Sequence, residues 1–277
     1  MTYKAHRWLL LAAAGLGLLA ACATTTSPTG RTQYVGAVSQ PQLDQMGTQA
    51  FAEAKATTPL SKDGRLTAYV GCVVTAITSQ LPAPWNGLHW DYALFQNDET
   101  NAWALPGGKI GVYTGIFKVA KNQDQLAAVI AHEIGHVVAR HHDERITRQA
   151  YAQLGLGVAG AAVGSRYGEA VQQTTGQVGG ALLQGAFLLP NSRAQESEAD
   201  VVGQEVMAKA GFNPDGAVAL WRNMGAVDAS RPLQWLSTHP DPESRLRELQ
   251  QRAEGLVPVM QAAHKTGHYP RCQPQNQ

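Results

Sequence analysis

The sequence has no block of like charge and almost no net charge, with 22 lysines and arginines against 21 aspartates and glutamates. A near-neutral chain without a basic stripe has no electrostatic footprint for nucleic acid, which excludes that class of partner. The chain also lacks internal repeats and any apolar run of the roughly 20 residues that a membrane-spanning helix needs. Its 277 residues and 44% hydrophobic content suit one large globular domain.

The N-terminus has the pattern of a targeting segment. Lys4 and Arg7 precede an apolar stretch from Trp8 to Ala21 that is too short for a comfortable transmembrane helix. The stretch ends in Leu-Ala-Ala-Cys, which resembles the lipobox of a bacterial lipoprotein and predicts that Cys22 is acylated. We therefore expect a lipid anchor in a membrane, followed from Thr24 to Arg31 by a polar tether.

These features predict the organisation of the chain. We expect a signal peptide at 1–21, a lipidated cysteine with its tether at 22–40, one main folded domain at 41–255 and a tail at 256–277. No aspartate follows Cys22, and this favours the periplasmic face of the outer membrane of a Gram-negative bacterium.

Cysteine is scarce, and only Cys72 and Cys272 remain after the leader. An even pair in an oxidising compartment predicts a disulfide between them. The spacing of His264, His268 and Cys272 also imitates a metal site, but nearby glycine and proline argue against the helix that such a site needs.

Apolar periodicity predicts a mainly helical α+β domain with a few short strands. Helices are expected at 42–56, 64–80, 123–150, 193–210, 214–227 and 243–253, and strands at 88–95 and 109–113. The segment from Tyr151 to Leu189 is rich in glycine and alanine, and we interpret it as a mobile or loosely helical excursion near the active site. The sequence does not decide whether it forms a lid.

The strongest signal is His132-Glu133-Ile134-Gly135-His136. Residues four apart share one helical face, so His132 and His136 can bind one Zn²⁺ together. Glu133 lies about 100° around the helix and can act as a general base without occupying the metal. Apolar flanks place the motif on a buried helix, where a histidine pair needs a partner.

Two residues compete as the third ligand of a single catalytic zinc ion. His142 has metzincin spacing, but Ala139 stands where that pattern needs glycine, so we expect the helix to continue and His142 to be solvated with His141. Glu196 is the better candidate. Asp200, four residues further on, can accept the outer N–H of a ligand histidine, whereas Glu198 is expected to face solvent.

Three motifs together resemble the metallopeptidase family of HtpX and the CAAX prenyl proteases, in particular its soluble periplasmic lipoprotein branch. They are the histidine motif, the Arg-x-x-Glu-x-x-Ala-Asp pattern from Arg193 to Asp200, and the Asn-Ala-Trp-Ala-Leu-Pro-Gly-Gly segment that begins at Asn101. The likeness covers roughly Leu43 to Leu249. It implies Glu196 as third zinc ligand, Asp200 behind a histidine, and Glu133 as general base. It also implies a mainly helical α+β domain of zincin type, with a small sheet or ribbon beside the active-site helix.

The segment from Asn101 to Tyr113 is expected to form a ribbon whose exposed edge binds an extended peptide substrate by strand addition. A purely structural hairpin is the alternative. The predicted substrate-binding residues are Asn101, Ala102, Trp103, Ala104, Gly107 and Gly108.

Two further residues are candidates for the catalytic site. His239, in Ser-Thr-His-Pro, can stabilise the reaction intermediate or occupy the open zinc position and hold the enzyme latent. Arg193 can stabilise the oxyanion, although pairing with Asp200 is the favoured interpretation.

The sequence thus predicts a zinc endopeptidase that acts on unfolded or misassembled envelope proteins. The alternatives are an envelope assembly factor with a silent protease site and a lipoprotein in which zinc only holds the fold. The oligomeric state is left open.

Overall fold

The computed structural model describes residues 24–163, 187, 190–226, 239 and 242–274. Cys22, the leader and most of the glycine-rich segment lie outside these residues. Within them the structure is mainly helical with two small sheets, which confirms the predicted class. The helices are α1 (Gln40–Thr57), α2 (Gly64–Thr78), α3 (Gln123–Val138), α4 (His141–Val163), α5 (Arg193–Lys209), α6 (Asp215–Gly225) and α7 (Pro242–Lys265). Among the described helices none is long and apolar enough to cross a membrane.

Helix α3 is the central element, and nearly every one of its side chains is buried. The Asn122 side chain accepts a hydrogen bond from the backbone N–H of Gln125 and so caps the first turn. Leu126, Ile130 and Ile134 form one apolar stripe inside the main core. The helix packs against α5, α6, α2 and the sheet, so a polar group on it is buried by several neighbours.

The main sheet has three strands, β3 (Asp91–Phe95), β4 (Ala102–Leu105) and β5 (Lys109–Tyr113), in the order β3-β5-β4. Strands β4 and β5 are antiparallel and joined by the predicted turn, in which Gly107 and Gly108 have φ of 77° and 70°. A side chain at either position would be strained and would meet backbone oxygen within 3 Å. The ribbon is confirmed, but its edge strand β4 lies against α3 and is buried rather than exposed.

The first described residues form a hairpin of β1 (Thr24–Thr26) and β2 (Thr32–Tyr34), so the expected polar tether is wrong for this segment. The hairpin lies against the junction of α3 and α4. There the Gln33 amide donates a hydrogen bond of 2.7 Å to the carbonyl of Ala139. That carbonyl belongs to the helix end, and this bond satisfies it.

The prediction of one helix from Gln123 to Ala150 is also wrong. The chain turns at Arg140, which has φ of 55°, and α4 starts at His141. Arg140 is held by an ion pair of 2.6 Å with Asp143. The helix preference of Ala139 amounts to less than about 1 kcal/mol. The hydrogen bond from Gln33, 106 residues earlier, together with this local ion pair, outweighs that preference.

The C-terminal part is more ordered than the sequence indicated. Helix α7 extends to Lys265 and passes through Pro258, whereas a helix ending at Ala253 and a tail were expected. The predicted disulfide between Cys72 and Cys272 is present and joins the end of the chain to α2. It removes Cys272 from the alternative metal site with His264 and His268.

Candidate metal centre

Helix α3 presents two histidines to one point. The Nε2 atoms of His132 and His136 lie 3.1 Å apart, and both side chains are buried. This follows from their spacing, because residues four apart on a helix stand one above the other.

Helix α5 supplies the third group. Its N-terminus is fixed by a capping box between Ser192 and Gln195, which places Glu196 in the first turn. The Glu196 carboxylate is fully buried, and its two oxygens lie 3.4 Å from Nε2 of His132 and 3.4 Å from Nε2 of His136. Neither oxygen accepts a well-aligned hydrogen bond. Apart from an ion pair of 2.7 Å between Oε2 and Nη1 of Arg245, these buried oxygens need another partner, which a metal ion would supply.

His239 completes the group of possible ligands. The ligand atoms of His132, His136, Glu196 and His239 all lie within 4.8 Å of one another. Nε2 of His239 is also 3.4 Å from the Glu133 carboxylate. The structure therefore brings His239, predicted from an isolated Ser-Thr-His-Pro motif, to the same point as the histidine pair.

The donor set fits a metal ion. Tetrahedral bonds of about 2.0–2.1 Å to nitrogen and oxygen place neighbouring ligand atoms about 3.3 Å apart. The distances among His132, His136 and Glu196 are 3.1, 3.4 and 3.4 Å. Two imidazole nitrogens and a carboxylate that converge at these distances are ligand types that zinc accepts.

The protonation states of two ligands also suit a metal. Burial, with the other histidines nearby, holds the pKa of His136 well below its ordinary value, so this imidazole is neutral. Burial opposes ionisation of Glu196, but His239 and His132 lower the pKa of this carboxyl to about 2. Metal ligands must be deprotonated, and both groups are.

Behind His132 stands a carboxylate, in the arrangement that the sequence predicted. Nδ1 of His132 is 2.9 Å from Asp200, which fixes the ring so that Nε2 faces Glu196. Burial lowers the pKa of His132, but Asp200 and Glu196 outweigh it and raise the value to about 9, so metal binding at Nε2 displaces a proton.

Asp200 is held by Arg245, which the sequence analysis missed. Arg245 donates two hydrogen bonds of 2.6 and 2.8 Å to Asp200, and its Nη1 lies 2.7 Å from Glu196. Its guanidinium also lies over the ring of Trp221, 4.4 Å from the centroid. The sequence contains one indication of its burial. Arg245 precedes the apolar residue Leu249 by four positions, so the two share the buried face of α7.

The expected pairing of Arg193 with Asp200 is replaced by this contact. Arg193 lies on the first turn of α5 with its side chain exposed, and it is not among the residues that line the cavity at the metal centre. The physical reason is helical geometry. Arg193 and Asp200 are about 10.5 Å apart along the helix axis and the Arg193 side chain is exposed, whereas Arg245 reaches this carboxylate from the facing helix α7.

Three further expectations about polar residues are wrong. His141 and His142 are buried instead of solvated, and Glu198 is buried instead of facing solvent. His142 packs edge-on against Phe187 and is not in the ligand group. Glu198 does point away from Glu196, as its spacing requires, but α4 and the hairpin cover that side of α5.

A small cavity adjoins the metal centre, with a volume of about 20 Å³, room for about one water. Its lining contains Glu133 and four of the predicted substrate-binding residues, from Asn101 to Ala104, whereas Gly107 and Gly108 lie in the distant turn. The cavity is also lined by Arg145, His142, Phe187, Asn191, His136 and His239. Arg145 donates hydrogen bonds to the Phe187 carbonyl and to the Asn191 side chain. Neither Arg145 nor Asn191 was predicted as a site residue.

A buried His-His-Glu ligand set, with a second glutamate beside it, places the chain in the class of metallopeptidases. Comparison with known proteins agrees, because the model of Peptidase family M48 matches residues 63–253. The chain therefore belongs to Peptidase family M48.

Its relatives include proteases from mitochondria and bacteria. The chain is 36% identical over 166 residues to the mitochondrial metalloendopeptidase OMA1 of Schizosaccharomyces pombe, covering 59% of this chain and 47% of that protein. It is 30% identical over 263 residues to the beta-barrel assembly-enhancing protease of Escherichia coli, covering 91% of this chain and 52% of that protein. It is also 28% identical over 167 residues to metalloprotease YcaL of Escherichia coli, covering 60% and 63%. The chain spans about half the length of the first two relatives.

Proposed function

We propose that the protein is a zinc-dependent endopeptidase. The observation that carries the proposal is the position of Glu133, which lines the cavity beside His136 but stands outside the group of possible ligands. A carboxylate in that position can move protons while His132, His136 and Glu196 hold the ion. Bound zinc would supply a Lewis acid for the scissile carbonyl and lower the pKa of water toward about 7.

The protein's own residues then have distinct tasks. Glu133 takes a proton from the attacking water and returns it to the leaving amine. Asp200 and Arg245 keep His132 in the tautomer that exposes Nε2. Strand β4 offers the backbone of Ala102 to Ala104 for pairing with an extended substrate, once this buried strand becomes accessible.

The small cavity bears on the role of His239. This residue lies with the possible metal ligands, and the cavity there has room for about one water. We propose that His239 would hold the ion together with His132, His136 and Glu196 and so keep the enzyme latent. A donor to the reaction intermediate is its alternative role, and the two roles predict opposite effects of removing the side chain.

The setting of the reaction is proposed from the sequence and from relatives. The apolar leader that ends at Cys22 supports a lipid anchor on the periplasmic face of the outer membrane. A relative matched over 91% of this chain is named a beta-barrel assembly-enhancing protease. We infer that the substrates are unfolded or misassembled envelope proteins. An assembly factor with a silent protease site is the second candidate, because the cavity at the metal centre has room for only about one water.

Cleavage of casein by the zinc-loaded protein tests the proposal. Glu133→Gln should lower the rate by at least about 100-fold while zinc remains bound, because only the proton acceptor is lost. Glu196→Ala should lose zinc, whereas the control Glu205→Gln, an exposed carboxylate of the same helix, should change neither property. Zinc binding without cleavage by the parent would contradict the peptidase proposal unless His239→Ala restores activity. Slower cleavage by His239→Ala would refute the latent role.

A further inference from the structure

The second ligand histidine has an unusual neighbour. Nδ1 of His136 lies 2.8 Å from Nδ1 of His141, and both rings are buried. Because Nε2 of His136 faces the other ligands, its proton belongs on Nδ1, which donates to His141. His141 must then carry its own proton on Nε2, and this atom lies 3.1 Å from the Glu198 carboxylate. A chain of hydrogen bonds thus runs from His136 through His141 to Glu198.

Glu198 is held from its other side by the N-terminal hairpin. Thr29 Oγ1 donates to it at 2.7 Å, and Arg31 donates through Nε at 3.1 Å and Nη2 at 2.9 Å. Arg31 also binds Glu144, at the start of α4, with two parallel bonds of 2.8 Å. Bonds between guanidinium and carboxylate have a fixed planar geometry, so this fork sets the position of both glutamates.

The two ligand histidines therefore have matching supports from different parts of the chain. His132 is backed by Asp200, and Asp200 is fixed by an arginine of α7. His136 is backed by His141 and Glu198, and Glu198 is fixed by an arginine of the hairpin. In both cases a buried carboxylate anchors an imidazole and a buried or half-buried arginine neutralises the carboxylate.

We propose that the N-terminal hairpin, residues 24–34, helps to set the geometry of the metal centre. In this arrangement Arg31, Glu198 and His141 are positioning residues for His136. The inference rests on the proposed metal site. It goes further because it makes the ligand geometry depend on a segment that stands next to Cys22, far from the peptidase motifs. Pulling the hairpin off α4 would leave Glu198 without its arginine and let the His136 ring turn.

Metal affinity, measured by competition with a chelator, tests the proposal in the full protein. Outer partners of metal ligands are worth about 10–100-fold in affinity, so His141→Leu should weaken zinc binding by that factor. His141→Asn places an amide oxygen where Nδ1 stood and should recover most of the affinity. Arg31→Ala should weaken binding less than His141→Leu but clearly, and the visible absorption of the Co²⁺-loaded protein should change in both.

Arg148→Ala is the matched control. Arg148 also binds Glu144, at 3.0 Å, but it is exposed and does not contact Glu198, so its removal should leave zinc affinity within about twofold. Should Arg31→Ala fail to fold, Arg31→Lys keeps the charge without the fork and should still weaken binding.

The outcomes separate this inference from the proposed function. If Arg31→Ala lowers the stability of the metal-free protein but binds zinc as tightly as the parent, the hairpin is a structural brace and the inference is wrong. Equal zinc affinity of His141→Leu and His141→Asn would also overturn it. If the parent itself binds no zinc, the proposed function fails and this inference fails with it.

Discussion

Replacing Gly135 by alanine tests how closely α3 and α5 must approach to form the metal centre. A Cβ atom at Gly135 would lie 2.7 Å from the carbonyl oxygen of Ala199, which is rigid backbone of α5. Carbon and oxygen normally stay at least about 3.3 Å apart, so the helices must separate by about 0.6 Å. Glu196 stands one turn before Ala199 and would move with it.

This displacement is large for a metal site, in which bond lengths hold to within about 0.2 Å. We therefore expect Gly135→Ala to weaken zinc binding by at least about tenfold. Its stability should change little or fall, because overpacking costs about 1–3 kcal/mol and alanine returns about 1 kcal/mol of helix preference. Gly203→Ala approaches the same interface from α5, 2.8 Å from the carbonyl oxygen of Ala131, and should behave alike.

The assay is a chelator competition for zinc, run beside denaturant unfolding of the metal-free protein. Gly255→Ala is the control, because a Cβ there meets nothing within 4 Å on an exposed part of α7. It should gain up to about 1 kcal/mol and keep its zinc affinity. If Gly135→Ala is as stable as this control and binds zinc as tightly as the parent, the close approach is not what sets the ligand geometry.

Three more predictions follow from buried charges and the crosslink. The disulfide between Cys72 and Cys272 spans 200 residues, so its loss should lower the free energy of unfolding by up to about 5 kcal/mol, measured by urea denaturation with and without reductant. Arg245→Met should cost about 3–5 kcal/mol in the metal-free protein, since two buried carboxylates lose their cation. Burial would raise the pKa of Glu144, but hydrogen bonds, first from Arg31, hold it below its ordinary value, so this carboxylate stabilises the fold above about pH 4.3 and ceases to as the pH falls. Glu144→Gln should therefore flatten the loss of stability as the pH falls below about 4.3.

Each of these three predictions has a control variant or a result that would contradict it. Arg247→Met removes an exposed arginine of α7 and should leave the free energy of unfolding within about 0.5 kcal/mol of that of the parent. If Arg245→Met had an equally small effect, the role given to Arg245 would be refuted. An unchanged urea midpoint after reduction would contradict the entropic account of the disulfide. If the stability of Glu144→Gln falls on acidification as steeply as that of the parent, the pKa argument is contradicted.

Local spacing was sufficient for part of the site. His132, Glu133 and His136 belong to one helix, as do Glu196 and Asp200, and side chains four apart must share a face whatever surrounds the helix. The apolar stripe of α3 and the turn at Gly107 and Gly108 were predictable for the same reason. Each depends on backbone geometry within a few residues.

Other features depended on partners remote in the sequence. Nothing near Glu198 indicates that Arg31, 167 residues earlier, will cover it, or that the expected tether folds into a hairpin. The break at Arg140 is another case, because the remote hydrogen bond from Gln33 to the Ala139 carbonyl, added to the local ion pair of Arg140 with Asp143, outweighs the helix preference of Ala139.

The sequence by itself predicted the proposed ligand types, the helices that carry them and the proposed general base, because these follow from residue identity and helical period. Only the tertiary structure decided which second histidine supports His136 and which arginines neutralise Asp200 and Glu198. The physical reason is that a buried charge is tolerated only beside a matching partner, and folding, not spacing, brings that partner to it.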